Sequence, residues 1–600
     1  MLFRSIMQAR GLTRESFDLL QGSAGTKSVN VFFNGAYPLS NTWEIYAFGG
    51  YANKKGDYSG LYRMPTGGSS SPIPASVTSV PSFIYPNGFL PRMQPTIKDV
   101  SVAAGLRGKW QGWQIDLSNA YGYNNWDYTI SNSLNYSQAF TNMQTSFNSG
   151  SIRSLQNTTN LDFSKHFPVL SGTNVAFGAE LRKDGYNQVA GEEASWKNFD
   201  VTKGVAAGTQ YFPGFHPNNA GNFSRTNQAV YIDLEQDFNK AFMVNTAIRL
   251  ENYSDFGKTF NYKIAARYNI KDLVTLRGAV STGFKAPGVQ QIYYARTNLD
   301  FVNNELVETG TFTNESKLVS LLGLPKLKQE TSQNYSLGAT ANIGHQFQFS
   351  LDYYQIAIKD RIILTNNFRG TAGSQLATLL KSQGVVAANF FTNGIDTKTS
   401  GLEGVLSYIA RFAGKQELRA TLAGTWLKNE VAKNSAGLPN VHAQDIISNS
   451  GQLDINTYFN REDWGRIEKG TPNVKGNLML QYKTGKFSTM LRFAYFGGAA
   501  LWNAAINPND ASTFPVNAYT GQKETLDETL SPKTITDASI SYQFLKQVGL
   551  TIGCNNLFDV KPDLLNHYNN TVFGRILYLR TSQQMGVNGA YYFVRLKFDL

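Results

Sequence analysis

The feature that most limits how this chain can fold is a regular succession of very short and very long connections between segments of alternating character. Within those segments the side chains switch between apolar and polar with a period of two, the mark of a strand with one apolar face. Near the C-terminus Tyr592, Val594, Leu596, Phe598 and Leu600 share one face, and Arg595, Lys597 and Asp599 the other. Ala538, Ile540, Tyr542 and Phe544 alternate with Asp537, Ser539, Ser541 and Gln543. Phe347, Phe349, Leu351 and Tyr353 alternate with Gln346, Gln348, Ser350 and Asp352, and Leu478, Leu480 and Tyr482 oppose Asn477, Met479 and Gln481. At the other end Val29, Val31 and Phe33 oppose Ser28, Asn30 and Asn34, with a slip at Phe32.

About 19 such segments are legible, most near the roughly 9–11 residues a tilted strand needs to cross a bilayer. The expected spans are 28–37, 43–52, 100–107, 113–122, 157–165, 174–186, 227–238, 242–252, 261–269 and 273–283. They continue as 334–343, 346–359, 401–410, 416–428, 474–484, 487–497, 536–545, 548–556 and 590–600. Short turns fall near 38–42, 108–112, 166–173, 239–241, 270–272, 344–345, 411–415, 485–486 and 546–547. Long loops fall between them near 53–99, 123–156, 187–226, 284–333, 360–400, 429–473 and 498–535, with one short exception at 253–260. Outer-membrane barrels have short periplasmic turns and long extracellular loops, so the pattern gives both a fold class and an orientation. A soluble sandwich has no reason to gather its long loops on one side. A propeller or β-helix would show a repeat of fixed length, and none is visible.

Composition agrees. Aromatic residues make up 13% of the chain and charged residues only 16%, against roughly 25% in an average soluble protein. No run of about 18 apolar residues argues for a membrane helix, but a barrel strand shows lipid only every second residue. The net charge of +12 is spread without a Lys/Arg block or a nucleic-acid motif, which argues against nucleic acid as a partner. The single cysteine, Cys554, excludes an intrachain disulfide; it keeps step with Val548, Leu550 and Ile552, as a small apolar side chain would.

Both termini of such barrels normally lie in the periplasm. If strand 590–600 ends there, strand 28–37 also runs downward, and an odd number of strands remains to be accounted for. Residues 1–27 show no convincing strand, and MLFRSIMQAR lacks the apolar core of a signal peptide. The expected organisation is therefore a truncated N-terminal remnant, 1–27, without plug or signal peptide, followed by a barrel domain, 28–600.

Several segments resemble the barrel of TonB-dependent outer-membrane receptors. The most telling is 276–287, LRGAVSTGFKAP, followed by Gln290, Gln291 and Tyr293. The family commonly ends a strand in S-x-G-F-[RK]-A-P before an extracellular loop, here Gly283, Phe284, Lys285, Ala286 and Pro287 with structural roles. Gly283 is expected to permit an unusual backbone turn, and Pro287 to stop the strand. In order along the chain come YPNGFLP (85–91), YSDFG (253–257), LKQETSQNYSLG (327–338), LDYYQIAIKDR (351–361), FFTNGIDTKTSGLEG (390–404) and NNLFDVKPD (555–563). Gly288, where Ser is common, and Leu600, where Phe is usual, depart from the pattern.

The resemblance implies an all-β transmembrane antiparallel barrel of about 22 strands in the complete protein, located in the outer membrane of a Gram-negative bacterium. It implies active uptake of a scarce substrate, an iron–siderophore complex first, with oligosaccharide or cobalamin uptake as the alternative. The implied partners are the TonB complex, reached through a plug and TonB box, a small-molecule substrate, and outer-membrane lipid with lipopolysaccharide, for a monomeric barrel. Rival readings are a passive porin and an outer-membrane enzyme such as a barrel lipase, for which no Ser/His pair can be nominated.

No catalytic or cofactor constellation stands out, so no catalytic residue, cofactor or metal site is expected. The histidines His166, His216, His345, His442 and His567 show no metal-ligand spacing, and Gly257-Lys258-Thr259 lacks the first glycine of a phosphate loop. Substrate-contact candidates come from two places. Tyr211, Phe212, Phe215 and His216 lie on a long loop, where aromatics either stack on a ligand or pack the loop together. Tyr231, Asp233 and Glu235 share the polar face of a strand, where lumen hydration is the plainer explanation. Glu192 and Glu193 lie in a loop where solvation suffices.

Overall fold

The computed structural model describes residues 7–63, 84–139, 143–203, 205–271, 273–302, 305–344, 346–370, 372–442, 455–571, 574–580 and 584–598. His345 and Leu600 lie outside that set. Of the 20 strands in the main sheet, one is the two-residue Arg92–Met93, and the other 19 are long. They are β1 (Gly25–Pro38), β2 (Trp43–Ser59), β3 (Thr96–Trp110), β4 (Trp113–Ser131), β5 (Phe147–Phe167), β6 (Thr173–Val189) and β7 (Gly221–Asp237). Next come β8 (Phe242–Tyr253), β9 (Gly257–Ile270), β10 (Val274–Lys285), β11 (Glu330–Ile343), β12 (Phe347–Leu364) and β13 (Phe391–Phe412). The last are β14 (Gln416–Val431), β15 (Val474–Thr484), β16 (Phe487–Phe496), β17 (Lys533–Gln543), β18 (Val548–Asn555) and β19 (Tyr591–Phe598).

Each long strand pairs antiparallel with its neighbours in sequence, and the sheet coils into a barrel. Every expected segment coincides with one of them. Register fixes the two faces. On β7, Val230, Ile232 and Leu234 are 53%, 50% and 42% exposed, while Tyr231, Asp233 and Glu235 between them are more covered. A contiguous apolar band on the outside and polar side chains on the inside is what a bilayer imposes. The slip at Phe32 is resolved by pairing: it lies opposite Gly50 and one step out of the Val29–Val31–Phe33 face, so it points into the lumen. Cys554 is buried on the outer face of β18, opposite Ala538.

The short turns are tight. Gln111 (φ 48°) and Gly112 (φ 81°) both adopt left-handed backbone between β3 and β4, the two-residue hairpin whose twist matches its strands. On the opposite side the long connections are folded bodies. Helices Lys317–Leu321, Gln375–Ser382 and Arg461–Glu468 and a small sheet of Arg296–Val302, Glu305–Thr311 and Val385–Asn389 cover part of the barrel mouth. Leu318, Val319, Leu322, Phe368, Leu380, Phe390 and Tyr458 form a continuous apolar core there.

Strands β1 and β19 both run toward the short-turn side. Among the described residues they form no ladder with each other, and their outward side chains are exposed: Val31 by 60%, Tyr592 by 72% and Val594 by 71%.

Candidate functional site

Inward positions on consecutive strands carry charges, and near the extracellular rim they mesh. Glu180, Arg182 and Asp184 occupy alternate positions of β6, as do Arg249, Glu251 and Tyr253 on β8. Arg225 on β7 is the hub. Its Nε donates to Asp184 Oδ2 at 2.9 Å, its Nη1 to the Pro287 carbonyl, and Asp255 lies 3.5 Å away. The guanidinium also stands 5.2 Å from the Tyr253 ring centroid. Gln156 donates to Asp184 at 2.9 Å, and Arg249 bridges Glu180 at 3.0 Å and Glu251 at 2.6 Å. Arg225 and Asp184 are largely screened from solvent and are satisfied by this pairing. Glu180 Oε1 and Arg182 Nε, by contrast, are buried without a hydrogen bond and are held only by longer ion pairs, at 3.8 Å and 3.7 Å.

The family-motif residues close this network from above. Pro287 follows the end of β10 and its carbonyl is the acceptor for Arg225. Lys285 Nζ bonds Glu330 Oε1 at 3.1 Å, and Glu330 also receives the Ile362 backbone N–H at 3.1 Å. Phe284 stacks edge-on against Tyr253 with centroids 5.8 Å apart. The expectation for Gly283 needs correction. It has no left-handed backbone and lies within regular strand; a Cβ there would stand 2.9 Å from Ser332 Oγ on β11, so the position needs a small residue for the close neighbour. Lys285 and Ala286 then form one lip of a cavity of about 720 Å³, whose floor includes Asp99, Asn124, Gln156 and Arg225.

The loop candidates separate. Phe215 is 1% exposed, and Phe212 stacks on Tyr128 with centroids 4.8 Å apart. Arg296 covers the Phe212 ring, its guanidinium carbon 4.0 Å from the centroid. Burial pushes the Arg296 guanidinium below its ordinary range, countered by the neighbouring Tyr294 and Tyr128 hydroxyls. His216 meets Trp196 edge-on at 4.5 Å and caps a 3-10 turn by accepting from Asn218 N–H. Phe212, Phe215 and His216 thus bind the loop together. Tyr211 alone turns the other way, with φ 85°, placing its ring where the Cβ of residue 60 would otherwise stand.

Tyr231, Asp233 and Glu235 lie toward the periplasmic end, about 40 Å along β7 from those loop residues at roughly 3.3 Å per residue. The seven candidates therefore do not form one site. Tyr231 Oη donates to Asp162 at 2.6 Å, passing over Gly178, where a Cβ would stand 2.8 Å from the ring. Tyr46 reaches Asp116 at 2.9 Å over Gly105 in the same manner, and Asp116 and Asp162 face each other across β4 and β5. Asp233 accepts from Asn245 at 2.8 Å and Glu235 from Asn174 at 3.1 Å. Among the described residues no three His, Cys, Asp or Glu side chains gather as a metal would require. Sequence reading missed the Arg225 network, although inward charges at alternate positions of β6 and β8 would have flagged it.

Comparison with known proteins bears on this arrangement. A family model described as TonB dependent receptor-like, beta-barrel matches residues 23–557. An iron-regulated outer membrane virulence protein of Vibrio cholerae serotype O1 is 26% identical over 186 residues, 31% of this chain and 25% of that protein. The match thus spans about a quarter of that relative's length. The siderophore receptor PirA from Acinetobacter baumannii superimposes with a TM-score of 0.62 at 16% identity, covering 97% of this chain and 72% of the other. A mutant ferric enterobactin receptor, PfeA, from Pseudomonas aeruginosa gives 0.61 at 14%, covering 98% and 71%. At those identities the superpositions establish the fold.

Proposed function

This chain belongs to the TonB-dependent receptor-like β-barrel family, and from that premise we propose that it forms the membrane-embedded part of an active importer of an iron–siderophore complex. The barrel lies in the outer membrane of a Gram-negative bacterium. The family is one of receptors, not enzymes.

The observation that carries the uptake reading is the cavity of about 720 Å³ on the long-loop side, where the Arg225 network meets Lys285 and Ala286. Its wall is rigid, because each strand's charged residue is anchored to the next, and a folded cap stands over the mouth. A site of this kind holds a bulky hydrophilic solute at the entrance of a water-filled path. The relative in Vibrio cholerae is named for regulation by iron, and the superimposing structures include siderophore receptors; both support iron chelates as the first substrate to examine. In this reading the barrel domain is 28–600, with its first strand reaching back into the segment 1–27 as far as Gly25, and energy arrives from the TonB complex through a plug and TonB box. The barrel sits as a monomer among outer-membrane lipid and lipopolysaccharide.

Uptake of radiolabelled ferric siderophores by iron-starved cells, with and without the gene, tests the proposal. Gene-dependent accumulation that stops when the proton-motive force is dissipated is expected. Entry that continues in de-energised cells would indicate a passive porin.

A further inference from the structure

The upper part of β12 carries a fault in its ladder. Between Ile358 and Ile362 the register with β13 slips, and Asp360 there takes a left-handed φ of 57°. That backbone is unfavourable for a residue with a Cβ, so its surroundings must hold it. Asn393 Nδ2 donates to the Asp360 carbonyl at 2.7 Å, and the Asp360 N–H donates to Asp396 Oδ1 at 2.9 Å. The bulge thereby sets the carboxylates of Asp360 and Asp396 on either side of one imidazole.

That ring is His442. Its Nδ1 lies 3.4 Å from Asp360 Oδ1 and its Nε2 3.4 Å from Asp396 Oδ1. A neutral imidazole has one N–H, so it can serve one of these carboxylates and must turn a lone pair toward the other. The imidazolium donates to both. Among the described residues the three groups do not converge as metal ligands would, because the carboxylates stand at opposite edges of the ring. Other charges nearby are already engaged or face solvent. Lys328, from the segment before β11, pairs with Asp360 at 3.0 Å, and Arg361 donates to Thr397 Oγ1 at 3.3 Å. On β14 Lys428 holds Glu430 at 2.7 Å, Lys433 stands 5.2 Å from the Trp464 ring centroid, and Lys398 on β13 is exposed.

The ring sits at the end of a hairpin that leaves β14. Asn434 N–H donates to the Leu438 carbonyl at 2.8 Å across its turn. Both ends bond β13: Ala432 N–H reaches the Asp396 carbonyl at 2.9 Å, and His442 N–H the Gly394 carbonyl at 2.8 Å. Val441 bridges to the buried Ile395 and packs against the apolar core of the cap. Residues 432–442 are therefore an edge of that core, fastened at one end by His442.

We propose that His442 is a proton-dependent latch: its imidazolium clamps the hairpin 432–442 onto β12 and β13, and loss of a ring proton loosens that edge of the cap. The clamp favours the charged ring, so its contribution is present at the acidic end of the range in which imidazoles change charge, about pH 5–8, and is lost as pH rises through it. The inference does not rest on the uptake reading.

Hydrogen exchange of the full chain in phosphatidylcholine vesicles, at about pH 5.5 and 7.5 and corrected for intrinsic exchange, tests it. Peptides within 432–442 should be about tenfold better protected at the lower pH, as one charge-assisted hydrogen bond implies. His442→Gln, which keeps a donor and an acceptor but does not titrate, should flatten the difference. If that variant does not fold, Asp396→Asn serves: an amide can donate to the ring's lone pair, so the neutral ring is satisfied on both sides and the difference should shrink. His166→Gln, at the end of β5, should behave as wild type. Equal protection of the hairpin at the two pH values would overturn the inference. So would a pH difference that persists in His442→Gln or, where that variant does not fold, in Asp396→Asn.

Discussion

Tyr231 reaches Asp162 only because residue 178, on the strand between them, is glycine. Gly178→Val should displace the ring and destabilise the barrel by about 1–3 kcal/mol, through overpacking and a lost charge-assisted hydrogen bond. Urea unfolding of vesicle-inserted protein checks this, and Tyr231→Phe should account for about 1 kcal/mol of it. Asp563 carries a second residue-scale prediction. Burial by itself raises its carboxyl, but bonds from Lys533 at 2.5 Å and from the Ser531 backbone and hydroxyl outweigh burial and hold it below the ordinary 3.8. A carboxyl depressed in the folded state stabilises above its unfolded pKa, and the stabilisation is lost as pH falls through the folded value. Exchange protection of loop 556–590 should therefore be flat at neutral pH and decline below 3.8, and Asp563→Asn should abolish that dependence. Neither contact was legible in sequence: Tyr231 and Asp162 are 69 residues apart, and only register brings them together.

Strand interiors could be read one by one because lipid demands an apolar residue at every outward position. Strand ends could not, because above the bilayer that demand stops. Thus 401–410 was readable within β13, whereas the observed strand begins at Phe391 and its first part runs through Asn393, Asp396, Thr397, Lys398 and Ser400. Likewise β5 starts ten residues before the expected 157, at Phe147, through Asn148, Ser149 and Ser151. The cap was invisible for another reason. Its core is assembled from three separate connections, each too short in apolar residues to announce a fold. Leu380, 1% exposed, sits on a helix capped by Ser374, whose Oγ accepts from Ala377 N–H at 3.0 Å. Leu380→Ala should cost the cap about 2–5 kcal/mol. Limited trypsin digestion should then cut near Lys381, while the barrel keeps its heat-modifiable mobility in detergent gels. Loss of that mobility would show that cap and barrel fold as one unit.

For the whole molecule, the succession of turns and loops supplied the orientation. The two edge strands point the same way, so two copies of this chain in one membrane offer each other only parallel edges. The candidate site was partly legible: the GFKAP segment marked the correct strand top and the alternating inward charges of β6 and β8 were there to be read, but only register between strands joins them to Arg225 and to the Pro287 carbonyl. The central claim is an outer-membrane barrel with its long loops outside the cell. Single cysteines at Asn509, in an exposed long loop, and Lys486, in a short turn, each introduced with Cys554→Ala to remove the native thiol, test it with a membrane-impermeant maleimide. With intact cells the cysteine at 509 should be labelled and that at 486 should react only after the outer membrane is permeabilised. Labelling of position 486 on intact cells, with 509 protected, would contradict the account.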